Sequence, residues 1–422
     1  MEEKVLVLEC AGLDVIASGF LKLGLEFEPV TPVFPAVTCV EQATMRTALP
    51  PREHGIVANG RFDRLSCRVD FWNQSARLYR GERIWEKARG KSVGVMFHQQ
   101  SLGDDGVDYV FSPAPIHKHH GGMIMACHAQ PPSLERELTE VVGRRFDLSS
   151  YWGPCASWKS SSWIAKATMA MMRSHAPNIL YSYLPHLDYC LQREGPKSPN
   201  LPKEAAFLGG LLRQLLSCAK ETGYEVLIWG DYAITEAVQP VRLNRVLLEA
   251  GLFAVRDVNG HLYANLHDSR AFAMADHQVA HIFIRNQEDV PRVREMLSHV
   301  DGVDSVQTPQ EAALDCLDAG DLVATASAGA WFAYSWWERQ SEAPDYATHV
   351  DIHNKIGFDP CELFWGIPFL GTSQNLAKVK GTHGRIDTPA AFAVTDGLRG
   401  LNDATTILEI AQKLKAFLGE QN

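Results

Sequence analysis

The stretch Val5-Leu6-Val7-Leu8-Glu9 is a short run of apolar residues, rich in valine and leucine, that ends in an acidic side chain. Runs of this length and character are typical of strands that are buried on both faces of a parallel sheet. Three more runs of the same kind follow along the chain, at residues 92–97, 178–183 and 225–229. Repeated buried strands of this kind predict an α/β protein.

Helical patterns lie between and after these runs, at residues 41–48, 133–142, 161–174, 204–222 and 241–250. Alternation of strand and helix predicts a mostly parallel central sheet with helices on both faces. In such a sheet, ligands bind at the carboxyl ends of the strands. The residues that follow each strand are therefore the place to look for chemistry.

The region 261–306 has a different pattern. Two strand-like runs, 262–266 and 279–285, precede a helix-like stretch at 290–297 and a last short strand at 303–306. We predict a small α+β cap insertion here, within a core formed by residues 1–260 and 307–422. Core-like sequence is expected to resume at residues 321–326, and the chain is expected to finish in an amphipathic helix at residues 404–418.

Composition excludes several classes of protein. The 422 residues include 40 Lys and Arg against 50 Asp and Glu, a formal net charge of −10, and no basic run is present. We therefore expect no nucleic-acid polymer as a partner. No window of about 18 uncharged apolar residues occurs, so no membrane span is expected. Nine cysteines without a Cys-x-x-Cys pair disfavour a zinc ribbon and a disulfide framework, and predict a cytoplasmic protein with reduced thiols.

Polar residues occur where the predicted strands end. Glu9 closes the first strand, and Asp188 and Asp231 follow the strands at 178–183 and 225–229. Thr38 stands at the start of a helix. Each has an ordinary structural explanation, since threonine is a common helix N-cap and aspartate a common turn residue. The joint pattern favours function, because strand ends of one sheet converge in space.

Five short motifs occur in order along most of the chain. They are Pro35-Ala36-Val37-Thr38, His54-Gly55-Ile56-Val57-Ala58-Asn59, Leu184-Pro185-His186-Leu187-Asp188, Gly230-Asp231-Tyr232 and Gly381-Thr382-His383-Gly384. Their order resembles the alkaline phosphatase superfamily, in particular its nucleotide pyrophosphatase/phosphodiesterase branch. The resemblance implies an alkaline-phosphatase-like sandwich and a metal-dependent hydrolase of phosphoric esters.

The resemblance also implies a role for each residue of the site. Thr38 would be the nucleophile, and Asn59 would donate a hydrogen bond to a phosphoryl oxygen. Two divalent ions about 3.5–4 Å apart would activate the threonine and neutralise the leaving oxygen. The family pattern assigns one ion to Asp188, Gln192 and His383, and the other to Glu9, Thr38, Asp231 and Tyr232.

Three of these residues depart from the family pattern. Glu9 stands where the family has aspartate, and Gln192 and Tyr232 stand where it has histidine. Imidazole suits zinc, whereas oxygen ligands suit Mn²⁺, Mg²⁺, Ca²⁺ or iron. Three alternatives stay open: two metals, with zinc or manganese first; one metal and another mechanism; or a catalytically impaired protein that binds a phosphoryl ligand. Transfer of the phosphoryl group to an acceptor other than water uses the same residues.

Further candidates surround these motifs. Asp351 and His353 point the same way if their segment is extended, so His353 is a candidate metal ligand. The run 113–123 holds four basic or titratable side chains hemmed by proline and glycine, which predicts a substrate loop formed by His117, Lys118, His119 and His120. Arg193 follows Gln192 and is a candidate phosphate ligand. The expected partner is a small phosphorylated substrate, and monomer and homodimer both stay open.

Overall fold

The computed structural model of the chain describes residues 4–86, 90–119, 122–351, 353–367 and 371–420. The helices within these ranges are α1 (Val15–Ser18), α2 (Thr38–Thr47), α3 (Pro51–His54), α4 (Leu134–Val142), α5 (Trp158–Ser174), α6 (His186–Glu194), α7 (Leu201–Thr222), α8 (Leu243–Glu249), α9 (Val290–Ser298) and α10 (Ile407–Glu420). The helices predicted from the sequence are present, with ends that differ by a few residues.

The strands of the same ranges are β1 (Lys4–Cys10), β2 (Glu28–Val30), β3 (Gly60–Asp63), β4 (Arg68–Phe71), β5 (Val93–Met96), β6 (Tyr109–Pro113), β7 (Ile116–His117), β8 (Met123–Ile124), β9 (Cys127–Gln130), β10 (Ile179–Leu184), β11 (Tyr224–Trp229), β12 (Thr235–Glu236), β13 (Gln239–Val241), β14 (Val255–Val258), β15 (His261–Ala264), β16 (Ala271–Asp276), β17 (Val279–Ile284), β18 (Val303–Gln307), β19 (Leu322–Ala326), β20 (Ala330–Phe332), β21 (Gly381–Thr382) and β22 (Ala390–Val394). The four apolar runs of the sequence correspond to β1, β5, β10 and β11.

The central sheet has eight strands in the order β2-β22-β11-β1-β10-β5-β6-β9. The five inner strands from β11 to β6 are parallel, and β2, β22 and β9 are antiparallel to their neighbours. Glu9 of β1 lies opposite Trp229 of β11 and Tyr183 of β10. The carboxyl ends of three parallel strands therefore meet around Glu9, as the sequence predicts.

Helices cover both faces of this sheet, and the alternation of side chains along β1 shows why. Leu6 and Leu8 pack in one core with apolar residues of α5 and α7. Val5 and Val7 pack in another core with residues of α10 and α2. Because both faces are buried, the strand needs apolar residues at every position. The mostly parallel α/β fold predicted from the sequence is confirmed.

A smaller antiparallel sheet of four strands, in the order β16-β17-β19-β18, forms a second layer around its own apolar core. Residues 279–285, 290–297 and 303–306 form β17, α9 and β18 as expected. The expectation that 321–326 rejoins the main core is wrong, because β19 pairs with β17 and β18. The smaller sheet thus continues past residue 306.

All nine cysteines lie in the described ranges, and all are free thiols. None of the helices described combines the length and the apolar character that a bilayer crossing requires.

Candidate active site

Contacts between side chains link four of the residues predicted for the site. Thr38, the first residue of α2, meets Tyr232, and Tyr232 in turn meets Asp188 and His383. Asp231, next to Tyr232 in sequence, interacts electrostatically with Asp188 and with Glu9. These residues come from the carboxyl ends of β1 and β11, from the helices α2 and α6, and from the segment after β21. They meet at one edge of the sheet.

Thr38, Tyr232 and Asp188 form a chain of hydrogen bonds. The Tyr232 hydroxyl donates to Asp188 Oδ1 at 3.2 Å, and Thr38 Oγ1 lies 3.2 Å from the same hydroxyl. Because the single tyrosine proton goes to the carboxylate, the threonine hydroxyl is the donor in the bond between Thr38 and Tyr232. Gln192 Nε2 donates to Asp188 Oδ2 at 2.8 Å and holds the carboxyl group from its other side. Burial raises the pKa of Asp188 to about 6.

Aromatic rings form a stack beside this chain. The rings of Tyr232 and His383 have centroids 3.6 Å apart and planes only 3° apart. His277 lies on the other side of His383 at 3.6 Å, and Phe358 follows at 3.8 Å from His277. His383 Nδ1 donates to the Ala36 carbonyl at 2.7 Å. Burial lowers the pKa of His383 to about 3, so the ring is neutral and its Nε2 carries a free lone pair.

Glu9 and Asp231 form a buried carboxyl pair. Glu9 Oε1 accepts from Gln42 Nε2 at 3.1 Å, and Asp231 Oδ1 accepts from the main-chain N–H of Gly12 at 3.1 Å and of Tyr232 at 3.0 Å. Burial raises the pKa of Glu9 well above its usual range, and Asp231 adds to that shift. Burial also raises the pKa of Asp231 to about 7. Within the described residues, no N–H group donates a hydrogen bond to Glu9 Oε2 or Asp231 Oδ2; the two carboxyl groups share a hydrogen bond, and His98 Nε2 lies 3.4 Å from Glu9 Oε2.

Asn59 is fixed beside the start of α2. Its Oδ1 accepts from the Cys39 N–H at 2.9 Å, one residue after Thr38. Asp276, at the end of β16, accepts both from the Asn59 main-chain N–H at 2.7 Å and from Asn59 Nδ2 at 3.1 Å. Burial raises the pKa of Asp276 to about 7. The smaller sheet thus positions Asn59, which the sequence predicts to act together with Thr38.

The two metal positions implied by the resemblance differ in how well this chain fits them. No three His, Cys, Asp or Glu side chains of the described ranges form a preformed metal cluster. At the position assigned to Asp188, both carboxylate oxygens accept hydrogen bonds from Gln192 and Tyr232, whereas Gln192 Oε1 and His383 Nε2 have no hydrogen-bond partner among the described residues. The position at Glu9 and Asp231 fits a cation, because two buried carboxyl groups face each other there and an ion can replace the proton that they share. Mg²⁺ typically takes one or two carboxylates together with waters and substrate phosphate.

A cleft of about 980 Å³, its open mouth included, lies above these residues. Six residues of the site line its floor: Thr38, Asp188, Gln192, Tyr232, His277 and His383. Its walls are mainly aromatic and aliphatic. This apolar lining with a few polar groups at the floor is typical of small-molecule sites.

The remaining predicted residues lie on the wall of the cleft or outside it. His353 lines the cleft and its Nδ1 donates to the Phe71 carbonyl at 3.1 Å, so its role as a ligand stays a prediction. His117, Lys118 and His119 are exposed on the β7–β8 hairpin, and none of them lines the cleft. His120 lies outside the described residues. Pro113, Pro115 and Met123 form the wall in place of the expected basic groups.

Arg193, the predicted phosphate ligand, is engaged by main-chain carbonyls, and its role stays a prediction. Its guanidinium donates to the carbonyls of Leu363 at 3.1 Å, Ala156 at 2.8 Å and Gly153 at 3.2 Å, and it does not line the cleft. Because carbonyls already take these donors, Arg193 ties α6 to the turn at residues 153–156 and to Leu363.

The sequence analysis missed Asp276, His277, Gln42 and His98. Asp276 is the last residue of β16, a strand that was not predicted, and His277 follows it in the turn. His98 is fully buried, and its Nε2 lies 3.4 Å from Glu9 Oε2. It follows the strand predicted at 92–97 by one residue, so the rule that strand ends carry chemistry was sufficient to find it.

The sequence and the fold of the chain are similar to those of known proteins. The sequence model described as type I phosphodiesterase / nucleotide pyrophosphatase matches residues 18–359. A search of curated proteins finds no match. Murine ectonucleotide pyrophosphatase / phosphodiesterase 5 has a similar fold, with a TM-score of 0.59 and 16% identity over 99% of this chain and 95% of that one. Phosphonoacetate hydrolase from Sinorhizobium meliloti, in complex with phosphonoformate, gives a TM-score of 0.64 and 13% identity over 99% and 96%.

Proposed function

This chain belongs to the type I phosphodiesterase / nucleotide pyrophosphatase family, and on that premise we propose that it hydrolyses a phosphoric ester bond with Thr38 as the nucleophile. The observation that carries the proposal is the position of the Thr38 hydroxyl. It lies on the floor of the cleft and donates toward Tyr232, which donates to Asp188. A threonine hydroxyl needs such a partner, because it is a weak nucleophile at neutral pH.

The reaction proceeds in two steps that return the site to its starting state. Thr38 Oγ1 bonds to phosphorus while the ester P–O bond breaks, and its proton passes through the Tyr232 hydroxyl toward Asp188. The leaving alkoxide takes a proton from water. A water molecule then attacks phosphorus and gives one proton to the hydroxide left by the first step, the bond to Thr38 Oγ1 breaks, and the threonine regains its proton from Asp188 through Tyr232.

Two groups hold the reacting atoms in place. Asn59 uses one Nδ2 hydrogen on Asp276, so the other is available for a phosphoryl oxygen. Gln192 keeps the Asp188 carboxyl group aligned with the Tyr232 hydroxyl. Positioned donors and acceptors of this kind stabilise charge in the transition state without reorganisation.

We propose that Glu9 and Asp231 hold a single hard divalent cation, with Mg²⁺ or Mn²⁺ preferred over Zn²⁺. Support comes from the two facing carboxyl groups and from the oxygen-bearing side chains that replace imidazole at positions 192 and 232. When bound, such an ion supplies charge neutralisation at the phosphoryl oxygens.

A second candidate function is binding of a phosphorylated ligand without turnover. The observation in its favour is that both carboxylate oxygens of Asp188 already accept hydrogen bonds, from Gln192 and from Tyr232. Transfer of the phosphoryl group to an alcohol is distinguished from hydrolysis by product analysis alone.

The test compares Thr38→Ala and Thr38→Ser with the wild-type protein on bis(4-nitrophenyl) phosphate, with Mg²⁺, Mn²⁺ and Zn²⁺ supplied in turn. Thr38→Ala is expected to lose turnover by roughly a thousandfold or more, and Thr38→Ser to retain part of it. Thr47→Ala is the matched control, because Thr47 lies on the same helix and its hydroxyl donates to the Ala43 carbonyl. Equal turnover by Thr38→Ala and wild type would remove Thr38 from the reaction. No turnover by wild type with any ion, together with phosphate-ligand binding, would favour the second candidate.

A further inference from the structure

The wall of the cleft above Thr38 is apolar and largely aromatic. Six side chains form most of it: Trp72, Leu148, Tyr151, Trp152, Tyr189 and Phe358. Trp152 packs against Phe358 with ring centroids 5.5 Å apart and against Tyr189 at 6.3 Å, and Trp72 meets Phe358 at 6.3 Å. Rings that contact one another in this way form a surface suited to an apolar group.

A buried ionic cluster holds this wall in position. Trp152 Nε1 donates to Glu362 Oε2 at 2.6 Å, and Glu362 is paired with Lys355 at 2.7 Å. Lys355 also pairs with Asp359 at 2.7 Å, next to the wall residue Phe358. The indole is thus fixed through its N–H group, so the cleft is shaped before a ligand arrives.

The cleft offers no cation to a second phosphate. Among the described residues that line it there is no lysine or arginine, and Asp188 is the single carboxylate. The nearby Lys355 and Arg193 are bound to carboxylates and carbonyls. A diphosphate entering here would lose its hydration without gaining a charged partner, which is costly.

The two amides of the wall are already engaged. Gln74 Nε2 donates to Gln99 Oε1 and, at 3.0 Å, to the Trp72 carbonyl, and its Oε1 accepts from Ser112 at 3.3 Å. Gln99 Nε2 points to the Tyr151 hydroxyl at 3.4 Å. Because these amide groups are hydrogen-bonded to other side chains, they contribute little to recognition of the hydrogen-bonding edge of a nucleobase.

The apolar character continues to the mouth of the cleft. Met125 lines the cleft and is 43% exposed. Ile116 and Ile124, on the adjacent β7–β8 hairpin, are also exposed, at 56% and 49%. The same hairpin also exposes His117, Lys118 and His119, and the His117 ring lies 5.7 Å from that of the cleft-lining His353, so an extended organic group meets apolar side chains along the Met125 side of the mouth.

We infer that the substrate is a phosphoric ester with an uncharged apolar organic group, and that a nucleotide or a diphosphate is disfavoured. The inference rests on the proposed function for one point, the placement of the phosphoryl group beside Thr38. The organic group then lies along the wall formed by Trp72, Trp152 and Phe358 and leaves past Met125.

The test measures binding of methyl-, butyl- and octylphosphonate and of adenosine 5′-monophosphate to Thr38→Ala and to wild-type protein by calorimetry. We expect affinity to rise about fourfold for each methylene that enters the cleft, so that octylphosphonate binds tightest. An affinity that is independent of chain length, or adenosine monophosphate binding as tightly as octylphosphonate, would overturn the inference. Binding to Thr38→Ala does not require turnover. The dependence of affinity on chain length can therefore be interpreted even if the proposed reaction is wrong.

A pair of surface variants tests the exit route. Met125→Asp is expected to weaken octylphosphonate binding at least about tenfold and to leave methylphosphonate binding unchanged, because it places a charge at the apolar mouth. Leu317→Asp is the control, since Leu317 is 72% exposed and does not line the cleft. Unchanged octylphosphonate binding by Met125→Asp would contradict the route.

Discussion

The hydroxyl oxygens of Thr38 and Tyr232 lie 3.2 Å apart on the floor of the cleft. Because Tyr232 gives its own proton to Asp188, the Thr38 proton points at the phenol oxygen. A residue that the family resemblance places among the metal ligands is therefore the direct hydrogen-bond partner of the proposed nucleophile. The chemistry of this site depends on that contact.

Removal of the phenol oxygen should slow the reaction. Tyr232→Phe breaks both hydrogen bonds, so we expect kcat to fall on the order of a hundredfold with a much smaller change in KM. The same change leaves Asp188 Oδ1 without its donor and should lower the free energy of unfolding by about 1–3 kcal/mol. Steady-state kinetics and urea unfolding measure the two effects.

Tyr181→Phe is the matched control for that variant. Tyr181 lies on β10, is fully buried, and its hydroxyl has no hydrogen-bond partner among the described residues. We expect no loss of kcat and little change in stability. Full kcat in Tyr232→Phe would show that the phenol takes no part in the reaction.

Restoring histidine at positions 192 and 232 should create a second cation site. Gln192→His with Tyr232→His removes both hydrogen bonds to Asp188 and supplies two imidazoles near His383. We expect the double variant to retain one Zn²⁺ per chain more than wild type after dialysis, measured by elemental analysis. The control is Gln214→His with Tyr263→His, away from the cleft. Equal zinc content in wild type and the double variant would contradict the expected role of these two substitutions.

The contribution of Asp276 to the stability of the folded state should fall as pH rises through the acidic and neutral range. The pKa of Asp276 is raised by burial to about 7, from an unfolded value near about 3.9. The folded state therefore binds more protons than the unfolded state between these two pKa values. The contribution of Asp276 to stability is full below the unfolded pKa and is lost as pH rises through about 7.

Asp276→Asn removes this titration. Urea unfolding in the presence of a chelator, at intervals from pH 5 to pH 8, should show a shallower fall of the free energy of unfolding than wild type. The largest difference in slope for one proton is about 1.4 kcal/mol per pH unit. Identical slopes for the two proteins would mean that Asp276 has the same pKa in both states.

The buried cluster behind Trp152 should be costly to break. Lys355 is 1% exposed and pairs with both Asp359 and Glu362. Lys355→Met leaves two buried carboxylates without a cation, so we expect a loss of about 3–5 kcal/mol in the free energy of unfolding. Lys197→Met, which breaks an exposed pair with Glu236, should cost about 1 kcal/mol or less. A similar small cost for both variants would contradict the structural role of the cluster.

The central sheet and the residues at its strand ends were predictable from the sequence. The runs that became β1, β5, β10 and β11 are apolar at nearly every position, because both of their faces are covered. Since parallel strands end at the same edge, Glu9, Asp188 and Asp231 could be placed together before any coordinates were known.

Pairing between distant segments was not predictable in the same way. The apolar pattern of β19 shows that the strand is buried but not that it pairs with β17 and β18. The same limit applies to Arg193, whose carbonyl partners lie up to 170 residues away along the chain. Asp276 was missed because its importance depends on a contact with Asn59, 217 residues distant.

The most direct test of the proposed reaction is a search for phosphate on Thr38. Wild-type protein is mixed with a chromogenic phosphoric ester and a divalent ion, quenched rapidly in acid, digested and examined by mass spectrometry. We predict a phosphorylated peptide that contains Thr38, formed in a burst that approaches one equivalent of released alcohol, and absent in Thr38→Ala. Turnover of the ester with no phosphate on Thr38, and with the same rate in Thr38→Ala, would contradict the proposal.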